Sequence, residues 1–393
     1  MSIKLSPKIP KPLHDFRNFL SIIWEGLGLP EPTPVQYDIA YCMQHGIDAD
    51  IEDKMIIEAF RGIGKSYVAV AFVLWCLLHD PDHKIMVVSA SKIRADDFSS
   101  FAHRIIQEID ICKHMRAKPE QSWSHVKFDV ADSRPSGSPS VKSVGITGQL
   151  TGSRADLIVS DDCETPGNSM TQMQREKLRE LVKEFDAIKK PGGRILYLGT
   201  PQTEASLYNI LQRSGFPARI WPSEYPSLDE VSTKYGNRLA PMILQRVIDD
   251  PTIVGHSTDP KRFTDSDLLS RKLSYGRSGY GLQFLLDTTL SDADRHPLRI
   301  SDLMVMSCDL RHAPIDVVYG IFKELKDIPN VAMPGDKWYA PELISEKRSP
   351  YQGCILAIDP SGRKKQFRQK TTALTIIYAF NCWELQTGQS AAA

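Results

Sequence analysis

The residues best suited to chemistry lie in one short run, Arg61-Gly62-Ile63-Gly64-Lys65-Ser66. Two glycines let successive backbone N–H groups turn inward around an anion. A helix starting at Lys65 would add its positive end. In the pattern G-x-x-x-x-G-K-[ST], such a loop cradles the phosphates of a nucleoside triphosphate, with lysine on the β- and γ-phosphates and the hydroxyl on Mg²⁺. Ala59 stands where that pattern asks for its first glycine, while Gly62 and Gly64 keep the loop flexible. Lys65 is therefore assigned to phosphate, Ser66 to Mg²⁺, and Gly62 and Gly64 to the bend.

Such a loop needs carboxylates at the end of another strand. Leu157-Ile158-Val159-Ser160-Asp161-Asp162-Cys163-Glu164 supplies them. Asp161 ends the apolar run and is the candidate Mg²⁺ carboxylate. Asp162 or Glu164 would polarise the attacking water, and spacing alone does not choose between them. Leu198-Gly199-Thr200-Pro201-Gln202 closes a later apolar run, and a polar group there can sense the γ-phosphate. Two arginines compete to neutralise transition-state charge: Arg154, just ahead of the acidic strand and from this subunit or the next, and Arg61, inside the loop. Such a residue is worth ~10³–10⁵ in rate.

The elements that must position these groups alternate in type. Short apolar runs at 55–59, 84–88, 157–159 and 194–198 read as strands. Lys65–Leu78, Ile93–Ile109 and Gln174–Ile188 read as helices. That rhythm predicts an α/β fold with a mostly parallel sheet covered on both faces. Residues 1–50 form a helical lead-in broken by Pro30-Glu31-Pro32-Thr33-Pro34. After Ser223 the pattern becomes helical at Leu239–Ile248 and Asp265–Tyr275, which predicts a small linker subdomain. Pro329–Tyr351 is looser, and a new strand at Cys354–Ile358 ends in Asp359-Pro360-Ser361-Gly362. The expected division is 1–223 for the phosphate-loop domain, 224–345 for the linker or lid, and 346–393 for the start of a second α/β domain.

Composition excludes several classes. The 393 residues are 41% hydrophobic and 24% charged, as in an ordinary globular protein of two or three domains. Lys plus Arg and Asp plus Glu each number 48, which excludes a bulk nucleic-acid coat but permits a local basic stripe. The seven cysteines are scattered without a C-x-x-C pair, so neither a disulfide framework nor a zinc site is indicated, and a reducing cytoplasm is expected. The longest apolar run, Val68–Leu78, is too short to cross a bilayer, and no signal-peptide apolar region opens the chain. The basic run Arg363-Lys364-Lys365, with Arg368 and Lys370, reads as a solvated charge cluster.

The block Ser138–Asp156 resembles the large terminase subunit (DNA maturase B) of short-tailed phages that encode their own RNA polymerase. So do Ala59–Ser66, Leu198–Thr203, Ser291–Asp294 and Pro297–Arg299. The resemblance runs from about residue 14 to Gly362, and Ala59 and Arg61 are themselves like the family. It implies an ASCE-type P-loop ATPase that uses ATP and Mg²⁺ to drive double-stranded DNA into a procapsid. It also implies a small helical linker subdomain and the start of an RNase H-like nuclease. By the resemblance, Gln36 matches the adenine-side glutamine, Thr200 the coupling position, and Asp359 the first metal-binding carboxylate of the nuclease. The implied partners are viral DNA, the portal, a small terminase subunit and further copies in a ring on the portal. The implied place is the host cytoplasm and the portal vertex, with no membrane.

After Gly362 the likeness fades. The sequence runs Arg363 to Lys370, is briefly familiar at Ala373–Phe380, and closes in Gln389–Ala393. Two-metal cleavage needs several carboxylates holding ions ~4 Å apart. A chain truncated after Asp359 is expected to lack nuclease activity. A helicase-like DNA-dependent ATPase and an inactive prophage remnant are the alternative readings.

Overall fold

A computed structural model describes residues 5–47, 51, 53–150, 152–203, 205–288, 311–318, 343–350, 356–357 and 377–378. The chain divides into two compact units, Met1–Ser291 and Asp292–Ala393.

In the first unit, two helices, α1 (Phe16–Gly26) and α2 (Pro34–His45), precede β1 (Lys54–Ala59) and α3 (Lys65–His79). Next come β2 (Ile85–Ser89), α4 (Lys92–Glu108), the short α5 (Asp110–Lys113), β3 (Lys127–Phe128), β4 (Val141–Gly145) and β5 (Ala155–Asp161). After these follow α6 (Pro166–Ser169), α7 (Gln172–Ile188), β6 (Lys189–Gly199), α8 (Leu207–Arg213) and β7 (Ala218–Trp221). The unit then continues with α9 (Leu228–Glu230), α10 (Pro241–Asp249) and α11 (Asp265–Tyr280).

The sheet order is β3-β4-β2-β5-β6-β1-β7. Every pairing in it is parallel except β3 with β4. The α/β fold with a mostly parallel sheet is therefore as the alternating pattern requires. Strand residues point alternately to the two faces, and the two faces are two cores. Ile57, Val87, Val159 and Leu198 join the core under α1–α4. Ile56, Val88, Ile158 and Tyr197 join the core under α7 and α8. With helices on both faces, the central strands β1, β2 and β5 are buried along nearly their whole length.

Helix α3 is buried along almost all its length, because its sequence from Val68 to Leu78 is apolar all round. It wedges between the sheet and α1, α2 and α4. The linker segment packs on the same core: Ile243, Val247, Phe263, Leu268 and Phe284 are buried there with the strand residues.

The sequence pattern missed β3, β4, β7 and the extension of β6. β3 has two residues, and β4 (Val-Lys-Ser-Val-Gly), β7 (Ala-Arg-Ile-Trp) and the Lys-Lys-Pro-Gly-Gly-Arg start of β6 break any apolar run with polar or small residues. In the second unit, short antiparallel pairs join Val317–Val318 to Leu343–Ile344, His312–Pro314 to Arg348–Pro350, and Leu356–Ala357 to Ile377–Tyr378. Two of these strands fall in the stretch read from the sequence as a loose linker. No described helix is long and apolar enough to cross a membrane. Asp359, the basic run at 363–370 and Ser291–Arg299 lie outside the described residues.

Candidate functional site

The strands that carry the loop and the carboxylates, β1 and β5, flank β6, so three strand ends converge. The chain leaves β1 at Ala59 and turns into α3 through a loop in which Gly62 and Gly64 take φ of 94° and 89°. Side chains other than glycine rarely adopt that left-handed region. A side chain caps each of α1, α2, α4, α7, α8 and α11, whereas α3 starts at Gly64 with none. Its first-turn N–H groups are thus left for an anion.

Gln36 braces this loop from below. It is 1% exposed. Its Nε2 donates to the Ile63 carbonyl at 2.8 Å, and its Oε1 accepts from Thr33 N at 3.0 Å as part of the α2 capping box. The structure therefore places Gln36 against the phosphate loop at Ile63 and Gly64.

Lys65, 7% exposed, sits where the three strand ends meet. Its Nζ donates to Thr200 Oγ1 at 2.9 Å and to the Ala59 carbonyl at 3.5 Å, and lies 3.7 Å from Asp162 Oδ1. Beside it, Ser66 Oγ donates to Asp161 Oδ1 at 3.0 Å. Burial and the adjacent Asp162 carboxylate push the Asp161 carboxyl upward, against the pull of Lys65 and the Ser66 hydroxyl. A hydroxyl and a carboxylate this close form an oxygen donor set suited to Mg²⁺, so the residues present fit that ion.

Asp162 adopts a left-handed backbone, φ 45°, with its N–H on the Leu198 carbonyl at 2.9 Å. Aspartate tolerates this conformation better than most residues. The kink turns its side chain toward Lys65. Glu164 differs. It is 2% exposed, and its two oxygens accept the backbone N–H groups of Gln202, at 2.9 Å, and Leu207. Burial raises its carboxyl to about 7, against those two hydrogen bonds. Each oxygen accepts a backbone N–H, so Glu164 ties the acidic turn to the start of α8.

These groups surround a cavity of about 530 Å³. Its polar end holds Arg61, Lys65, Ser66, Asp161, Asp162, Glu164, Thr200, Gln202 and Gln283; its other end is lined by Tyr67, Val70, Phe98 and Phe101, with Arg94 and Asp97 alongside. Of the two arginines proposed from the sequence, the structure brings Arg61 to the pocket. Arg154 corrects the expectation of a same-subunit role. It lies at the opposite end of β5, ~20 Å of strand from Asp161 at 3.3 Å per residue. There its guanidinium is exposed and donates to the Ala187 carbonyl.

Comparison with known proteins bears on this site. The terminase large subunit of Enterobacteria phage T3 is 44% identical over 373 residues, covering 93% of this chain and 62% of that protein. The chain is a relative of that large terminase subunit. It spans less than two thirds of the relative's length. The resemblance carried by Ala59–Ser66 and Ser138–Asp156 thus extends through nearly the whole chain. No protein-family model matches it. Among solved structures, the HK97 bacteriophage large terminase aligns with TM-score 0.41 at 15% identity, over 61% of this chain and 51% of that one. The Thermus phage P74-26 large terminase ATPase domain gives 0.38 at 14%, over 67% and 96%. The yeast DEAD-box splicing factor Prp28 gives 0.35 at 13%, over 53% and 48%. Likenesses this weak add nothing to the fold drawn from the sheet itself.

Sequence reasoning missed the segment after Ser223 as part of the surroundings of this site. Thr33 Oγ1 donates to Asp259 Oδ2 at 2.9 Å, and Arg262 Nη2 to the Gly62 carbonyl at 3.3 Å. Phe263 packs edge-on to Phe60 at 5.2 Å. Gln283 reaches Arg61. No local pattern marks these residues, because each partner is about two hundred positions away.

Proposed function

We propose that the chain is an ATP-hydrolysing motor subunit that drives double-stranded viral DNA into a procapsid. The observation that carries this reading is the Lys65 amine, held between the ends of β1, β5 and β6 beside the Ser66–Asp161 pair. The T3 relative is named a terminase large subunit, and the packaging role is what the resemblance carried by Ser138–Asp156 implies.

In this reading the triphosphate lies on the Gly62–Lys65 loop and the first turn of α3, with Lys65 moving from Thr200 onto the β- and γ-phosphates. Ser66 and Asp161 would hold Mg²⁺, which when bound neutralises charge on the phosphate oxygens. Asp162 orients the attacking water and takes its proton. Its side chain lies 3.7 Å from Lys65, whereas Glu164, which also lines the pocket, has each oxygen held by a backbone N–H. Thr200, released by Lys65, reads the γ-phosphate. Arg61 neutralises developing charge within the subunit. Arg154, exposed at the far end of β5, is suited only to a neighbour's pocket in a ring. The residues from 224 to 288 act as a lid on the ATPase core of residues 1–223. Double-stranded DNA, the portal, a small terminase subunit and further copies of the chain are the proposed partners, in the host cytoplasm and at the portal vertex.

The test is steady-state ATP hydrolysis with and without double-stranded DNA, for the chain and for Lys65→Ala. Turnover that Lys65→Ala removes supports the reading, and packaging into purified procapsids tests its DNA half. A folded, nucleotide-binding chain without turnover, even with portal present, would favour the inactive-remnant alternative.

A further inference from the structure

Gln283 is the lid residue that enters the pocket wall. It lies in a single wide turn, Gly281–Leu285, just after α11, and is 7% exposed. Its carbonyl accepts the Arg61 N–H at 3.0 Å, and its Oε1 accepts from Arg61 Nη1 at 3.3 Å. Its Nε2 donates to Gln202 Oε1 at 3.4 Å. Gln202 in turn donates its N–H to Glu164 and its Nε2 to the Thr200 carbonyl at 3.0 Å. One amide therefore joins the phosphate loop, the segment after β6 and, through Gln202, the acidic turn. Both halves of the amide are used, oxygen toward Arg61 and nitrogen toward Gln202.

We propose that Gln283 is a positioning residue that stations the Arg61 guanidinium at the pocket wall and transmits its departure to the lid. The proposal rests on the ATPase reading of the same pocket. A neutral amide oxygen is a weak enough acceptor for a phosphate to compete with. When Arg61 turns to the γ-phosphate, the side-chain bond to Gln283 is lost and the backbone bond remains. The lid turn then stays attached while its side chain is free to follow Gln202. A carboxylate in the same place would hold the guanidinium far more firmly, since charge-assisted pairs are about twice as strong as neutral ones. It would also remove the donor that Gln202 Oε1 needs.

Gln283→Glu, Arg61→Ala and the double variant are compared by ATP hydrolysis and by binding of a fluorescent ADP analogue. Q283E is expected to lower kcat at least tenfold with analogue affinity within about twofold. In the R61A background Q283E should cost nothing further. Losses that multiply in the double variant, an R61A variant with full turnover, or a Q283E defect confined to nucleotide affinity would each overturn the proposal. A second readout needs no turnover. Amide hydrogen exchange of Gly281–Leu285 should change on adding ATPγS to the wild type and stay unchanged in Gln283→Ala. Equal responses in the two would overturn the proposal even if hydrolysis is intact. A folded chain that binds no nucleotide would instead overturn the ATPase reading, and this role for Gln283 with it.

Discussion

The sheet holds the pocket's strand ends, whereas the segment after Ser223 holds the phosphate loop and its surroundings through separate grips. On the sheet side, β1, β5 and β6 hold Lys65, Asp161 and Thr200 through continuous parallel ladders, from Lys54 opposite Ile195 to Asp161 opposite Leu198. On the lid side, Asp259, Arg262 and Phe263 reach Thr33, Gly62 and Phe60 by one contact each, and Gln283 holds Arg61 by one backbone and one side-chain hydrogen bond. A ladder moves only if several hydrogen bonds break together, whereas single grips can release separately. The difference teaches where a change of nucleotide state can be expressed. In the proposed motor the catalytic groups would sit on the strand ends, and their signal would leave through the separate hydrogen bonds of the segment after Ser223.

The sharpest way to break this comparison is to exchange the roles of the two acidic residues. Asp162→Asn should lower kcat by ~10²–10⁴, the usual worth of a positioned base, with nucleotide binding retained. Glu164→Gln turns an amide N–H toward a backbone N–H and should cost about 1–3 kcal/mol of stability, with a smaller loss of rate. Hydrolysis rates and denaturant melts of both variants check this. The reverse pattern would make Glu164 the catalytic acid.

The lid wall is tested next by Phe263→Ala. Phe263 is 6% exposed against Phe60. Its truncation should cost about 3–5 kcal/mol and open residues 224–288 to limited trypsin digestion. If stability falls without that cleavage, the lid is fixed by more than these grips.

A buried carboxylate on the sheet side gives a pH signature. Glu58, 1% exposed on β1, accepts from Gln212, and burial raises its carboxyl from 4.5 to about 7. Between those values the folded chain binds more protons than the unfolded one, so stability falls as pH rises from ~4.5 to 7 and is level above. Glu164, also raised to about 7, acts in the same direction. Glu58→Gln should therefore gain about 3 kcal/mol over the wild type at pH 8, and the gain should vanish below pH ~4.5. Thermal melts across that range would show it. A gain independent of pH would place the Glu58 effect elsewhere.

The smallest expected change is at the bend that joins the walls. Gly64→Ala forces a left-handed residue to carry a Cβ, which would meet Gln36 Nε2 at 3.2 Å. Strain of ~1–2 kcal/mol should weaken binding of a fluorescent ADP analogue about tenfold while leaving the lid contacts of Phe263 unchanged. An equal loss of lid protection against trypsin would show that the two walls are less separate than the contacts suggest.

Much of the sheet wall was legible in the chain alone. The loop at 61–66, the acidic run at 157–164 and the alternation of apolar runs with helical stretches are local patterns. The backbone chemistry they encode, glycine at positive φ and strand residues facing two cores, needs only neighbours in sequence. The relative from phage T3 shares that frame through nearly the whole chain.

Only the tertiary structure decided which of the alternatives face each other. Glu164 and Leu207 are 43 residues apart, Arg61 and Gln283 are 222 apart, and Thr33 and Asp259 are 226 apart. Spacing could name Asp162 and Glu164, or Arg61 and Arg154, as pairs of candidates. It could not tell that a left-handed turn aims Asp162 at Lys65 while backbone amides capture Glu164. Nor could it tell that the length of β5 carries Arg154 away from the phosphate loop. Hydrogen bonds to distant backbone and the rise of a strand made those choices, and neither is written in any short run of residues.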